Sequence, residues 1–377
     1  MNRPLKKKFL LSLILFLIAL SFTSMGFALG EEEPLNSYTA RGKVLEVTEG
    51  SPQQDVAFLE TYMVTLEILT GELKGEIFEI EHTLSGSFVY DIEVEPGDKV
   101  LLMVEEFPDG LEIYITDFIR DTYVYGVIFA FFALLIIIGK KSGFKTLITL
   151  ALTGFFIMKV LLPGILKGYD PVLLTIVVSS LITLITIFII GGINIKGFSA
   201  IAGVLGGILA AGLITFIIGT RVKLTGLSAE EATMLMYIPQ NIEFDFRQLL
   251  FSGIMLGALG AVMDVAMSVS SAMAEIKRVN PTIRGRELIK SGMNVGRDIM
   301  GSMANTLILA YAGSTIPLLL LFMAYETSIV KIINLDIIAT EIIRAIAGSI
   351  GLILTIPITA FTSGFLLERF KGKQVNE

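Results

Sequence analysis

The chain has no cysteine and a single histidine, His82, in 377 residues. It therefore has no disulfide framework, no thiol nucleophile and no thiolate metal ligand, and zinc chemistry is left without a ligand set. Also missing are an HExxH helix, a serine–histidine pair, a glycine-x-glycine-aspartate pattern, a nucleotide-binding motif and an Asp-x-Asp-x-Asp-Gly calcium loop. Those patterns carry hydrolytic, intramembrane-protease, ATP-driven and calcium chemistry, so the reading is of a non-enzyme with no cofactor. Charge is scarce too, at 17% of residues against a usual quarter or so.

Apolar residues fill the gap: 53% are hydrophobic and the mean hydropathy is +0.76. A membrane-spanning helix needs roughly 20 mainly apolar residues. Seven windows of that kind lie beyond residue 120, at 122–139, 146–166, 171–190, 197–219, 248–273, 299–324 and 339–367. The expected fold is an α-helical polytopic integral membrane protein of about seven transmembrane helices over 122–367, with a cytoplasmic tail at 368–377. Ahead of it, MNRPLKKK leads into an apolar run at 9–20 and small residues up to Ala28. That is the layout of a signal peptide over 1–28 or of an uncleaved signal anchor, and either one exports the adjoining segment.

Loop charge tests the topology. The loops expected inside hold thirteen basic residues, from Lys140 to Lys373, against five outside (Lys167, Arg221, Lys223, Arg247 and Lys331). Positive charge is retained on the cytoplasmic side. The C-terminus is expected there, the exported segment outside, and the whole in a bacterial plasma membrane.

Residues 31–119 alternate apolar and polar side chains in RGKVLEV, FLETYMVTLEIL, GEIFEIE, KVLLMVE and LEIYITDF, divided by turns such as EPGDK and FPDG. Five short strands predict an all-β domain, with an OB-like barrel as the best guess. Leu45, Val47, Val64, Leu66, Ile80, Val100 and Leu102 are its expected core. Residues 31–118 hold 21 acidic and four basic residues, a net of −17, so the rest of the chain carries +10 of the overall −7. Solubility and repulsion from an anionic membrane account for this charge; capture of cations or a basic protein partner is the alternative. A domain this acidic lacks the basic groove that nucleic acid needs. His82, at a strand end, is expected to be structural.

The most informative stretch is 253–276, where Asp264 sits in an otherwise membrane-compatible run. A carboxylate there costs about 2.5–3.5 kcal/mol on insertion scales and usually faces protein or water. Gly253, Gly257, Gly260, Asp264, Ser268, Ser271 and Glu275 recur at steps of three and four, so they share one helix face. Ile254, Met255, Val262, Val265 and Val269 form the opposite face, suited to lipid or apolar packing. After the basic loop KRVNPTIRGRELIK, in which Thr282 could cap a short helix, Asn294, Asp298, Gly301, Asn305 and Ala312 line a face of the next helix. Antiparallel entry puts Asp298 and Asn305 at Asp264's depth, while Arg344 begins its helix at the outer edge and Lys159 snorkels outward. Small residues elsewhere (Ser199, Gly203, Gly206 and Ala210; Gly348, Gly351, Thr355 and Thr359) suit close helix packing. Pro163, Pro317 and Pro357 are expected to kink or break their helices.

The passages GALGAVMDVAMSVSSAMAEI and SGMNVGRDIMGSMANTLILAYAGS resemble the YibE/F-like family of bacterial multipass membrane proteins. The resemblance implies a polytopic plasma-membrane protein with an exported N-terminal segment. Asp264, Asp298 and Asn305 match the family's polar motif positions, and no reaction comes with them. The residues point to two functions. One is a transporter or permease whose intramembrane polar site (Asp264, Ser268, Ser271, Glu275, Asp298 and Asn305) takes an ion, a proton or a small solute, with Gly253, Gly257, Gly260, Gly203 and Gly348 as packing positions. The other is a membrane scaffold or receptor whose β domain and basic loop bind partners. Both keep contact with the lipid bilayer and leave the oligomeric state open.

Overall fold

The computed structural model describes residues 36–49, 60–86, 91–108, 110–238, 243–325 and 328–369. The expected leader at 1–28 and all but the first two residues of the tail lie outside them. Contacts divide the chain into two compact units, with the boundary between Leu134 and Leu135.

The first unit holds one antiparallel sheet of five strands: β1 (Asn36–Glu49), β2 (Glu60–Ile68), β3 (Ile77–Leu84), β4 (Lys99–Phe107) and β5 (Gly110–Phe118). Their order is β3-β2-β1-β4-β5, and the edge strands β3 and β5 approach one another, so the sheet curls. Alternation drives this: Val44, Val64, Leu66, Val100, Leu102 and Val104 are fully buried on the inner face, each burial contributing about 1.5–3 kcal/mol. Of the expected core, Leu45 is a correction. The ladder between β1 and β2 skips a residue at Val44/Glu46. This bulge gives Val44 the inward position and turns Leu45 outward. Val47, beyond it, packs against the core again, as does Ile80. His82 has a structural role: its Nε2 lies 2.8 Å from the Ile92 carbonyl oxygen and ties β3 to the segment before β4.

The same unit includes the start of α1 (Asp121–Phe156), separated from β5 by Ile119 and Arg120 alone. Arg41 of β1 forms an ion pair with Asp121, the first residue of α1.

The second unit is helical. A run from Asp121 to Leu166 carries α1, a π-helical turn (Ile157–Leu161) and α2 (Leu162–Leu166). It is broken at Lys140, whose φ of +48° and ψ of −124° belong to no helix. Gly143 sits so close to the Leu135 carbonyl that a Cβ would overlap it, so the chain doubles back there. Next come α3 (Pro171–Gly191), α4 (Ile195–Arg221) and the short α5 (Glu230–Met234), then α6 (Phe246–Val279), α7 (Gly285–Ser314), α8 (Ile316–Ala324), α9 (Ile329–Ile333) and α10 (Asp336–Arg369).

Local chemistry sets the boundaries. Asp170 accepts from the Leu173 N–H at 2.8 Å to open α3, Asn194 caps α4 through the Gly197 N–H at 2.9 Å, and Asp245 caps α6 through the Gln248 N–H at 3.0 Å. Each satisfies a backbone donor that the first helical turn leaves free. Thr282 caps nothing; it donates to Asn280 Oδ1 at 2.8 Å, and α7 starts at Gly285 without a side-chain cap. Pro317 lies in the first turn of α8, which is bent 60° from α7. Pro163 lies just beyond the π-helical turn, whereas α10 runs on through Pro357.

Among the described residues, five helices are long and apolar enough to cross a membrane, and six if the bent α7–α8 pair counts as one span. The windows at 122–139 and 146–166 fall within one such run, which lowers the count expected from sequence.

In the bundle α10 packs on α4, α6 and α7, and α6 also packs on α4 and α3. The α4–α10 seam is the closest. A Cβ at Gly203 or Gly207 would overlap the hydroxyl of Thr359 or Thr355, and one at Gly351 would lie 2.7 Å from the Gly207 carbonyl oxygen. Small residues at four-residue spacing allow this approach.

Candidate functional site

Helix α6 spans 34 residues, about 51 Å at 1.5 Å per residue, with Asp264 roughly 27 Å from its N-terminal end. Its apolar face is the packed one. Ile254, Met255, Val262, Val265 and Val269 are all at most 1% exposed: Met255 lies against Gly212 of α4 and Val262 against Gly207. The polar and small face is turned the other way. Gly253, Gly257, Gly260, Asp264, Ser268 and Glu275 are exposed or half-buried, and Ser271 is half-buried.

Asp264 opens onto a shallow groove of about 160 Å³ between α3 and α6, lined also by Thr186, Ile187, Ile190, Gly260, Met263 and Met267. A volume of that size accommodates several water molecules. Gly260 contributes by absence: a Cβ there would meet nothing within 4 Å. Thr186 is the polar group that α3 adds to the rim.

Helix α7 lies beside α6 and antiparallel to it. Met273 meets Gly292 at one level and Gly257 meets Tyr311 at another. These pairs set Asp264 level with roughly Ser302, Asp298 with Ser268 and Asn305 with Ala261 at one residue per 1.5 Å on both helices. Asp298 and Asn305 are exposed like Asp264. Shared depth is therefore real, but no hydrogen bond joins the three, and none has an ion-pair partner among the described residues. Arg297, next to Asp298, only reaches Asn294 Oδ1 at 3.4 Å.

Glu275 separates from the group. Its carboxylate accepts from Arg278 Nε at 2.9 Å and Nη2 at 2.5 Å, one turn on. It belongs to the basic loop, where Lys277 Nζ also donates to the Pro281 and Ile283 carbonyls at 2.9 Å each.

The packing glycines divide too. Gly203 is locked against Thr359 and Gly257 against the Tyr311 hydroxyl, at 2.5 Å from where a Cβ would stand; Gly348 makes ordinary contact with Ala258. Gly253 and Gly260 have open space where a side chain would stand.

Sequence reasoning missed a second polar group, in the first turns of α10. Arg344 pairs with Glu341 at 3.0 Å and lies 6.0 Å from the Tyr311 ring centre. Glu341 Oε2 is buried with no hydrogen-bond partner among the described residues. The i, i+3 spacing of an acid and a base on α10 was the available signal. Lys159 is exposed on the π-helical turn. Among the described residues, no three histidine, aspartate or glutamate side chains gather to hold a metal.

The β unit has a groove of its own, about 300 Å³, bordered by Tyr62, His82, Glu93, Glu95 and Asp98.

Comparison with known proteins adds a family. Residues 127–369 match the model described as YibE/F-like protein, and residues 36–118 match the YibE/F family N-terminal domain. Searches of curated proteins and of solved structures found no match.

Proposed function

The chain belongs to the YibE/F-like family, and from that premise we propose a multipass transporter or permease with an intramembrane polar site around Asp264, Asp298 and Asn305. The observation that carries this reading is Asp264 itself. It is a carboxylate in the middle of a membrane-length helix, without an ion-pair partner among the described residues, at the edge of a groove wide enough for water. A buried structural carboxylate would be paired or hydrogen-bonded; one open to a groove wide enough for water can take and release an ion or a proton. Asp298 and Asn305 extend the polar surface at similar depth on α7. We read the coupling as one to an ion or proton gradient or to a partner.

The arrangement we propose has about seven spans beyond residue 120, and the non-helical break at Lys140 supports reading the Asp121–Leu166 run as two of them. The sheet order and the approach of β3 to β5 favour an OB-like barrel for the N-terminal domain. Loop charge favours that domain outside and the C-terminus in the cytoplasm of a bacterial cell.

The test is flux. Purified wild-type protein and Asp264→Asn are reconstituted in liposomes, and proton and monovalent-cation movement is followed with pH- and ion-sensitive dyes. Wild-type flux that disappears in the variant supports the site; equal flux and ion dependence in both would sink it.

A second reading, receptor or scaffold, is favoured by the acidic groove at Tyr62, His82, Glu93, Glu95 and Asp98. Deleting 31–119 then removes bound partners, and an unchanged partner set rejects it.

A further inference from the structure

We propose that the exposed face of α6 and α7 is an interface with the same face of a second copy of this chain, and that the polar site lies between the two copies. The inference stands apart from transport and concerns what covers the face.

Within one chain, glycines on helix faces mark where backbones touch. Gly203, Gly207 and Gly351 leave no room for a methyl group. On α6 and α7 the pattern recurs without the neighbour: Gly253, Gly260, Gly301 and Gly313 have nothing within 4 Å of a built Cβ. The two helices are adjacent, and we take the open positions on both as one surface.

That surface cannot be left to lipid. Asp264 and Asn305 are exposed on it within the membrane windows and Arg297 and Asp298 at the edge of one, whereas the mid-helix exposed residues of α4, such as Leu209 and Leu213, are apolar. Hydrocarbon solvates the second set and excludes the first.

Charge identifies the occupant. Arg297 and Asp298 are neighbours at one depth, opposite in sign and without ion pairs in the described residues. A two-fold axis along the membrane normal brings equal depths together, so Arg297 of each copy meets Asp298 of the other. Such a contact is self-complementary, as an isologous interface requires. A partner of single charge would satisfy one residue and repel the other. Asp264 of both copies would then border one shared polar path, which a single chain builds only by half.

The chain has no cysteine, so single cysteines report without background. Full-length Gly260→Cys and Gly301→Cys are compared in proteoliposomes with Leu209→Cys and Leu213→Cys, on α4 at a similar depth, after oxidation with copper phenanthroline. Disulfide dimers at least about tenfold more abundant from the first pair, unchanged on roughly tenfold lipid dilution, are expected if the contact is specific. Equal yields from both pairs, or a single chain per particle by photobleaching in lipid, overturn the proposal. So does cross-linking of a different protein at Gly301→Cys in native membranes. Charge exchange guards against misfolding: Arg297→Asp should lose self-association, and co-expression with Asp298→Arg should restore a mixed dimer. Failure of both single changes to weaken association overturns the charge pairing. A dimer without flux upholds this interface and removes the transport reading; flux from a monomer does the reverse.

Discussion

Thr359 of α10 turns its hydroxyl into the space that a side chain on Gly203 of α4 would fill. The hydroxyl oxygen has no hydrogen-bond partner among the described residues, so its place is set by shape. Two helices in such close contact gain from dispersion, and glycine sets how close they come.

Gly203→Ala should therefore destabilise the helical unit by about 1–3 kcal/mol, the usual cost of overpacking. Adding Thr359→Ala removes the overlapping oxygen and should recover most of the loss. Unfolding in mixed micelles, read for both single variants and the double, gives the coupling directly; strict additivity would show that the two residues are not in contact.

The orientation of α6 makes a paired expectation. Asp264→Ala, on an open face, should leave stability within about 0.5 kcal/mol. Ala266→Asp, two residues on and fully buried, sets an unpaired charge among packed side chains and should cost at least about 3 kcal/mol. Folded yield after detergent extraction and thermal unfolding measure both. Equal losses would mean that α6 is rotated from the position described.

The reversal at Lys140 predicts a cytoplasmic loop. A cysteine at Ser142 should react with a membrane-impermeant maleimide only in inside-out vesicles. Lys140→Gly should be neutral or stabilising by roughly 1 kcal/mol, because glycine adopts the positive φ without strain. Labelling of Ser142→Cys from the outside would remove the hairpin.

In the β domain, Asp117 accepts from Arg120 Nη1 at 2.5 Å and from the Phe118 N–H at 2.8 Å. The Arg120 guanidinium, foremost, and then the backbone donor hold its carboxyl below the ordinary aspartate range. A lowered folded value stabilises the fold above the unfolded pKa, and that contribution fades as pH falls through the folded one. Both groups are largely exposed, so the effect is small and confined to acid. Carboxyl-labelled aspartate spectra should show Asp117 titrating below the other exposed aspartates, and Arg120→Ala should move its midpoint upward.

The bulge in β1 separates two leucines that alternation treats alike. Leu102→Ala should cost about 2–5 kcal/mol, as a fully buried leucine does, and Leu45→Ala under about 0.5 kcal/mol. Chemical denaturation followed by tyrosine fluorescence distinguishes them.

Much of the fold was legible because periodicity records burial. The five strands, the sharing of one α6 face from Gly253 to Asp264 and the depth match with Asp298 all come from steps of two, three and four residues. Periodicity does not say which face is inside. Val262 and Asp264 lie on opposite sides whichever way α6 turns, and only the neighbouring helices decide. Leu45 escaped because a bulge inserts a residue without a strong sequence mark. The break at Lys140 falls between the windows read at 122–139 and 146–166, with Gly139 and Gly143 on either side of it. Glu275 shares the seam's spacing, yet Arg278, one turn on, holds it in the basic loop instead.

The two-residue connection from Phe118 to Asp121 and the Arg41–Asp121 ion pair limit how freely the sheet can turn against the first residue of α1. A domain on a long tether would swivel, and whatever it grasped would leave the helix undisturbed. Here the sheet holds the first residue of α1 at two points, one covalent and one ionic. A rotation of the sheet would therefore be felt at the start of that helix. Breaking the ion pair loosens the lever while leaving the chain continuous.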